Sequence, residues 1–182
     1  MDTEGTIIKN ILLVEDDPHD AELALAVLED NLAKQVAVVG NGAEALDYLY
    51  RRGQFKSRAG GNPIVVLLDN KMPKVSGLEV LKIIKGDGQL KMIPVVALTS
   101  SRRTQDLIEF YKHGVNAYVV KPLDFSRFMA VIKQLVVFWA AVNEPPPQTG
   151  IKETSIQSDE VVSPGKEKLK NEAHAPHPAF GG

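Results

Sequence analysis

Ile64-Val65-Val66-Leu67-Leu68-Asp69 is a run of five apolar residues closed by a carboxylate. A strand with one wet face alternates apolar and polar residues. A short unbroken apolar run marks a strand covered on both sides, as at the centre of a parallel sheet. Four similar runs flank it: Ile11 to Val14, Val36 to Val39, Val95 to Leu98 and Ala117 to Val120. Each is followed by a helical pattern. Helix starts are marked at Asn41 with Glu44 and at Ser76 with Glu79, both fitting a capping box, and Gly114 suits the position after a helix end. Five strand-helix units joined by right-handed crossovers predict an α/β fold, a doubly wound five-stranded parallel sheet. In such a sheet the functional groups gather at the carboxyl ends of the strands.

The composition bounds what those groups can do. The chain has 182 residues, 24% of them charged, with a formal net charge of -2 and Cys 0. Without cysteine there is no disulfide framework, thiolate nucleophile or Cys-ligated metal. The charge balance gives no electrostatic footprint for nucleic acid. Wholly apolar runs such as Leu135 to Val142 are shorter than a membrane span requires, and Met1 to Asn10 lacks the basic start and apolar core of a signal peptide. A cytoplasmic protein free of membrane and nucleic acid is expected. After residue 143 the chain turns rich in proline and glycine and poor in large apolar side chains, so residues 1–143 are expected to form the folded domain and 144–182 a disordered tail. The basic, glycine-containing stretch from Arg51 to Gly61 is longer than most helix-strand connections and reads as a mobile surface loop, its charge leaving a docking role open.

The first strand ends in Glu15-Asp16-Asp17, with Asp20 and Glu22 close behind. The favourable field at a helix N-terminus accounts for Asp17, Asp20 and Glu22. It does not account for Glu15 and Asp16, which repel each other where a buried strand emerges unless a hard cation sits between them. Asp69 closes the third strand and can meet Asp16 in an open sheet. Three carboxylates without histidine favour Mg²⁺ or Mn²⁺ over zinc. The fourth strand ends in Thr99-Ser100-Ser101 and the fifth in Lys121-Pro122. Each has an ordinary explanation: a hydroxyl can cap a helix and a lysine can sit in water. Together, acid, hydroxyl and ammonium suit one task. A cation and an ammonium neutralise a phosphoryl group, a hydroxyl hydrogen-bonds it, and a carboxylate attacks its phosphorus.

The residues now resemble a known family. Val14-Glu15-Asp16-Asp17-Pro18 is similar to the acidic motif of the receiver domains of bacterial two-component response regulators. Leu67-Leu68-Asp69-Asn70-Lys71-Met72-Pro73 resembles their phosphoacceptor loop, Ala97-Leu98-Thr99-Ser100 their switch-hydroxyl motif, and Tyr118-Val119-Val120-Lys121-Pro122 their lysine motif. The resemblance spans roughly residues 8 to 142 and implies the flavodoxin-like order of strands. It further implies that Asp69 accepts phosphate from a histidine kinase and that Asp16, Asp69 and the Lys71 carbonyl bind Mg²⁺, with Glu15 assisting through water. Thr99 and Ser100 would face the phosphoryl group, Lys121 would pair with it, and Tyr118 would be the aromatic switch. Asn70 departs from the family, which usually has an apolar residue there. Asp17-Pro18-His19-Asp20 and the long loop before the third strand look most like the small regulators that serve bacterial phytochrome kinases.

Other classes fit less well. Aspartate-nucleophile phosphohydrolases carry a second aspartate two positions after the nucleophile, where this chain has Lys71. A flavin or dinucleotide carrier needs a phosphate-cradling loop where Glu15-Asp16-Asp17 stands. A receiver-shaped module that is never phosphorylated would not need every functional position filled. The chain is therefore expected to be a phosphoacceptor and not an enzyme acting on a separate substrate. The last helix carries Val131, Ile132, Leu135, Val136, Val137, Phe138, Trp139 and Val142, more than one core-facing stripe holds. Val136, Phe138 and Trp139 are accordingly expected on an exposed face that seals a homodimer.

Overall fold

The computed structural model of the chain describes residues 10–26, 28, 35–58 and 61–147. Five parallel strands form one sheet: β1 (Ile11–Val14), β2 (Val36–Val39), β3 (Val65–Asp69), β4 (Val95–Thr99) and β5 (Ala117–Val120), in the order β2-β1-β3-β4-β5. This is the flavodoxin-like order. The helices are α1 (Pro18–Ala26), α2 (Gly42–Leu49), α3 (Gly77–Gly86), α4 (Thr104–Lys112) and α5 (Phe125–Val137).

The unbroken apolar runs are buried on both faces, and their period of two divides the core. Leu12, Val14, Val66, Leu68, Val95 and Ala97 point to one side, against Ala45 of α2, Ile84 of α3 and Phe110 of α4. Ile11, Leu13, Val65, Leu67, Val96 and Leu98 point to the other, against Ala24 of α1 and Phe128 and Ile132 of α5. The Ser76–Glu79 capping box is complete. At α2 only half of it forms: Asn41 accepts the Glu44 N–H, while the Glu44 carboxylate takes the Gly40 N–H. Gly114 follows α4 at φ 81°, the left-handed turn expected of it.

The last helix corrects the expected dimer face. Val136 and Trp139 are 1% and 9% exposed and belong to the core. Phe128, Ile132, Val136 and Ala140 fall at intervals of four with Trp139 beside them, a single stripe that the sheet covers. Only Val137, Phe138 and Val142 of the named residues remain on the outside, at 37%, 47% and 70%. The helix ends in a wide turn, Phe138–Val142, closed by a hydrogen bond from the Asn143 N–H to the Phe138 carbonyl at 2.7 Å. By length and composition Phe125–Val142 is long and apolar enough to cross a membrane, though Arg127 and Lys133 interrupt it. Its inner stripe nonetheless packs on the sheet.

Pro145 and Pro146 are half-buried, and Pro146 and Pro147 line a small hollow with Pro63 and Met92, so packing continues past the expected end at residue 143. Residues 148–182, where disorder is expected, lie outside the described residues. In the basic loop, a short turn at Gly53–Phe55 brings the Phe55 ring 5.2 Å from Tyr48, and the Arg58 guanidinium lies 4.2 Å from the centre of the same tyrosine. Much of that loop is therefore pinned to α2.

Candidate functional site

Sheet register assembles the site. Val14 pairs with Leu68, so the next residues, Glu15 and Asp69, emerge side by side; Asp69 pairs with Leu98 and Thr99 with Val120, bringing Thr99 and Lys121 to the same edge. The Lys121 N–H donates to the Thr99 carbonyl at 2.8 Å, which continues the β4-β5 pairing into the site.

Lys121 is the hub. Its ammonium donates to Glu15 Oε2 at 2.6 Å and to Asp20 Oδ2 at 3.1 Å, and it stands 3.3 Å from Asp69 Oδ1. Asp69 is 6% exposed, and its other oxygen, Oδ2, accepts the Lys71 N–H at 2.7 Å. Both carboxylate oxygens are thus oriented. Burial disfavours the charged form of Lys121, but the hydrogen bond to Glu15 and the charges of Glu15 and Asp69 outweigh it and hold the ammonium above its ordinary value. Burial pushes Glu15 up to about 7, against the pull of Lys121 and with the help of the Asp69 and Asp20 charges.

Next to this cluster lies a hydroxyl network. Thr99 is fully buried and its Oγ1 accepts the Ser101 N–H at 3.0 Å. The Ser101 hydroxyl donates to Asp106 Oδ2 at 2.5 Å, and the Tyr118 hydroxyl donates to the Ser101 carbonyl at 3.2 Å. The Tyr118 ring meets Phe110 edge to face at 5.5 Å. Ser100, expected at the phosphoryl group, is exposed, and Ser101 is the buried hydroxyl. The reason is a bend at Ser100: the Ser101 N–H folds back onto Thr99 Oγ1, which turns Ser101 inward and leaves Ser100 outside.

The acceptor loop is held from behind by α3. The Gly77 N–H donates to the Asn70 carbonyl at 3.0 Å, and a Cβ on Gly77 would stand 2.2 Å from the Asp69 carbonyl oxygen. Between them the chain turns through Lys74 at φ 68°, the left-handed region.

Asp20, which the sequence assigns to the helix field, is a direct partner of Lys121. Asp16 itself is exposed. Among the described residues, no group of three or more acidic or histidine side chains converges as metal ligands do; the carboxylates converge on an ammonium. The donor set nonetheless fits a hard divalent ion. Three carboxylates surround a single cationic group, an excess of negative charge that a hard divalent ion would balance.

Residues 11–133 match the family model described as the response regulator receiver domain. The chain belongs to this family. As a receiver domain it serves two-component phosphorelay signalling and is a phosphoacceptor module, not an enzyme in the ordinary sense. The response regulator Rcp1 of Synechocystis sp. (strain ATCC 27184 / PCC 6803 / Kazusa) is 34% identical over 140 residues, covering 76% of this chain and 94% of that protein. The solved Mn(2+)-bound form of Rcp1 superposes with a TM-score of 0.69 at 32% identity, over 76% of this chain and 99% of the other. The phosphorylated cyanobacterial phytochrome response regulator RcpA gives 0.71 at 35% identity, over 76% and 99%. The bacteriophytochrome response regulator AtBRR is 56% identical with a TM-score of 0.59, over 75% and 98%. Receiver domains of this kind bind a divalent metal.

Proposed function

We propose that Asp69 is the phosphoacceptor of this receiver domain and that its donor is a histidine kinase of the phytochrome class. The observation that carries this reading is the placement of Asp69: buried, one oxygen held by the Lys71 N–H, the other 3.3 Å from the Lys121 ammonium. In the transfer, an Asp69 carboxylate oxygen forms a bond to the phosphorus of a phosphohistidine. The P–N bond breaks, its electron pair returns to the nitrogen, and the protonated ring leaves as neutral imidazole. Lys121 neutralises charge on the transferred group and Thr99 supplies a hydrogen bond. Glu15, Asp16, Asp69 and the Lys71 carbonyl would hold Mg²⁺, which supplies charge neutralisation at the phosphoryl oxygens.

The kinase class rests on the relatives, whose names associate RcpA and AtBRR with phytochromes. The site of action is the cytoplasm. Phosphorylation acts on the Thr99-Ser101-Tyr118 network, whose hydrogen bonds link the acceptor pocket to α4. The protein pairs with a second copy through the outer side of the last helix, centred on Phe138 with Val137 and Val142, since adjoining exposed apolar residues favour an interface.

Incubation with a small phosphodonor and Mg²⁺ is expected to give an acid-stable, base-labile modification, and Asp69→Asn abolishes it; labelling that persists in Asp69→Asn refutes the assignment. Phe138→Asp is expected to sediment as a monomer where the native chain is a dimer, and an intact dimer removes the seam.

A further inference from the structure

An ammonium has three N–H groups; Lys121 gives hydrogen bonds to Glu15 at 2.6 Å and Asp20 at 3.1 Å, and the Asp69 carboxylate stands as a third charge partner at 3.3 Å. The three are not equivalent. The side chains of Glu15 and Asp69 are 4% and 8% exposed, whereas Asp20, in the first turn of α1, is 32% exposed. If Asp69 accepts a phosphoryl group, as the reading above has it, the carboxylate loses its own charge and up to about two negative charges on the phosphoryl oxygens take its place beside Lys121. The ammonium must then turn an N–H toward the new oxygens. Releasing Glu15 would strand a buried carboxylate without its partner, at high cost. Releasing Asp20 returns a partly exposed carboxylate to water, at low cost.

We propose that Asp20 is a positioning residue that holds Lys121 in its resting arrangement and thereby slows phosphoryl acceptance at Asp69. It acts by occupying an N–H that the phosphoryl group needs. In the charge-assisted bond Asp20 accepts and Lys121 donates, and the bond is exchanged for one to phosphorus-bound oxygen when the pocket is modified.

The test uses the full chain with acetyl phosphate and Mg²⁺. Asp69 forms the new O–P bond, the donor's P–O bond breaks, and acetate leaves with the electron pair. Asp20→Asn keeps the shape and removes the charge, and its phosphorylation rate is expected to rise roughly twofold to fivefold over the native chain, the scale of a partly exposed ion pair. A double-mutant cycle on the folding equilibrium of the unmodified protein, with Asp20→Asn, Lys121→Met and both together, is expected to show coupling of roughly threefold. An Asp20→Asn rate equal to or below the native rate overturns the proposal, as does a cycle in which the two substitutions simply add. A native chain that takes no label at Asp69 overturns the phosphoacceptor reading, and the kinetic role with it, while the cycle still decides whether Asp20 holds Lys121.

Discussion

Replacing Gly77 with alanine tests how the acceptor loop is held. Gly77 opens α3 directly behind Asp69, and an added Cβ would lie 2.2 Å from the Asp69 carbonyl oxygen and 2.8 Å from Asn70 Cα. A carbon rests about 3.3 Å or more from a carbonyl oxygen, so the methyl group is short of room by about 1 Å. The atoms it meets are backbone, which no change of rotamer can move aside. Either α3 backs away, opening its contact with the sheet, or the Asp69-Asn70 segment moves and takes the carboxylate with it. Overpacking of this kind costs about 1–3 kcal/mol. A displacement of about 1 Å at a reacting group lowers rate by up to about a hundredfold. The assays are urea unfolding and the rate of labelling from acetyl phosphate, the latter at a urea-free temperature where circular dichroism shows the variant folded. Gly77→Ala is expected to unfold at lower urea and to accept phosphate at least about tenfold more slowly. Native stability together with native rate would refute the argument that this contact fixes Asp69.

Two further outcomes follow from the same neighbourhood. Glu15 is raised from 4.5 to about 7, so the folded chain keeps a proton that the unfolded chain releases; its stabilising contribution is full below about 4.5 and is lost as pH rises through 7. The metal-free protein should therefore lose stability between about pH 4.5 and pH 7 by urea unfolding, with Mg²⁺ opposing the loss and Glu15→Gln flattening the profile; a native profile that matches the variant removes the assignment. Lys74 sits at φ 68°, where a β-branched side chain is strained, so Lys74→Val is expected to cost about 1–2 kcal/mol while Lys74→Gly costs nothing by the same measurement. Equal stability of the two variants would contradict that geometry.

Much of the fold was legible because the physics behind it is local. An unbroken apolar run such as Ile64 to Leu68 must be covered on both faces whatever its neighbours are, and a serine three residues before a glutamate caps a helix by its own chemistry. The apolar runs placed Asp69, Thr99 and Lys121 at strand ends, and parallel register brought Asp69 to Lys121 and joined the Thr99 and Lys121 backbones. What stayed hidden depended on direction or on distance in the chain. Ser100 and Ser101 are equivalent as composition, and only the bend after β4 turns the second inward. Trp139 looked surplus on its helix until the sheet proved wide enough to cover it.

The sequence by itself determined the five strands, the order of helices between them and which polar residues stand at the strand ends, because each follows from side chains within a few positions of one another. Tertiary structure alone decided which groups share the Lys121 ammonium. Asp20 reaches it across 101 residues, a contact set by how α1 packs in the fold rather than by any local pattern. An ion pair of that span is fixed by packing, and packing is a property of the whole core.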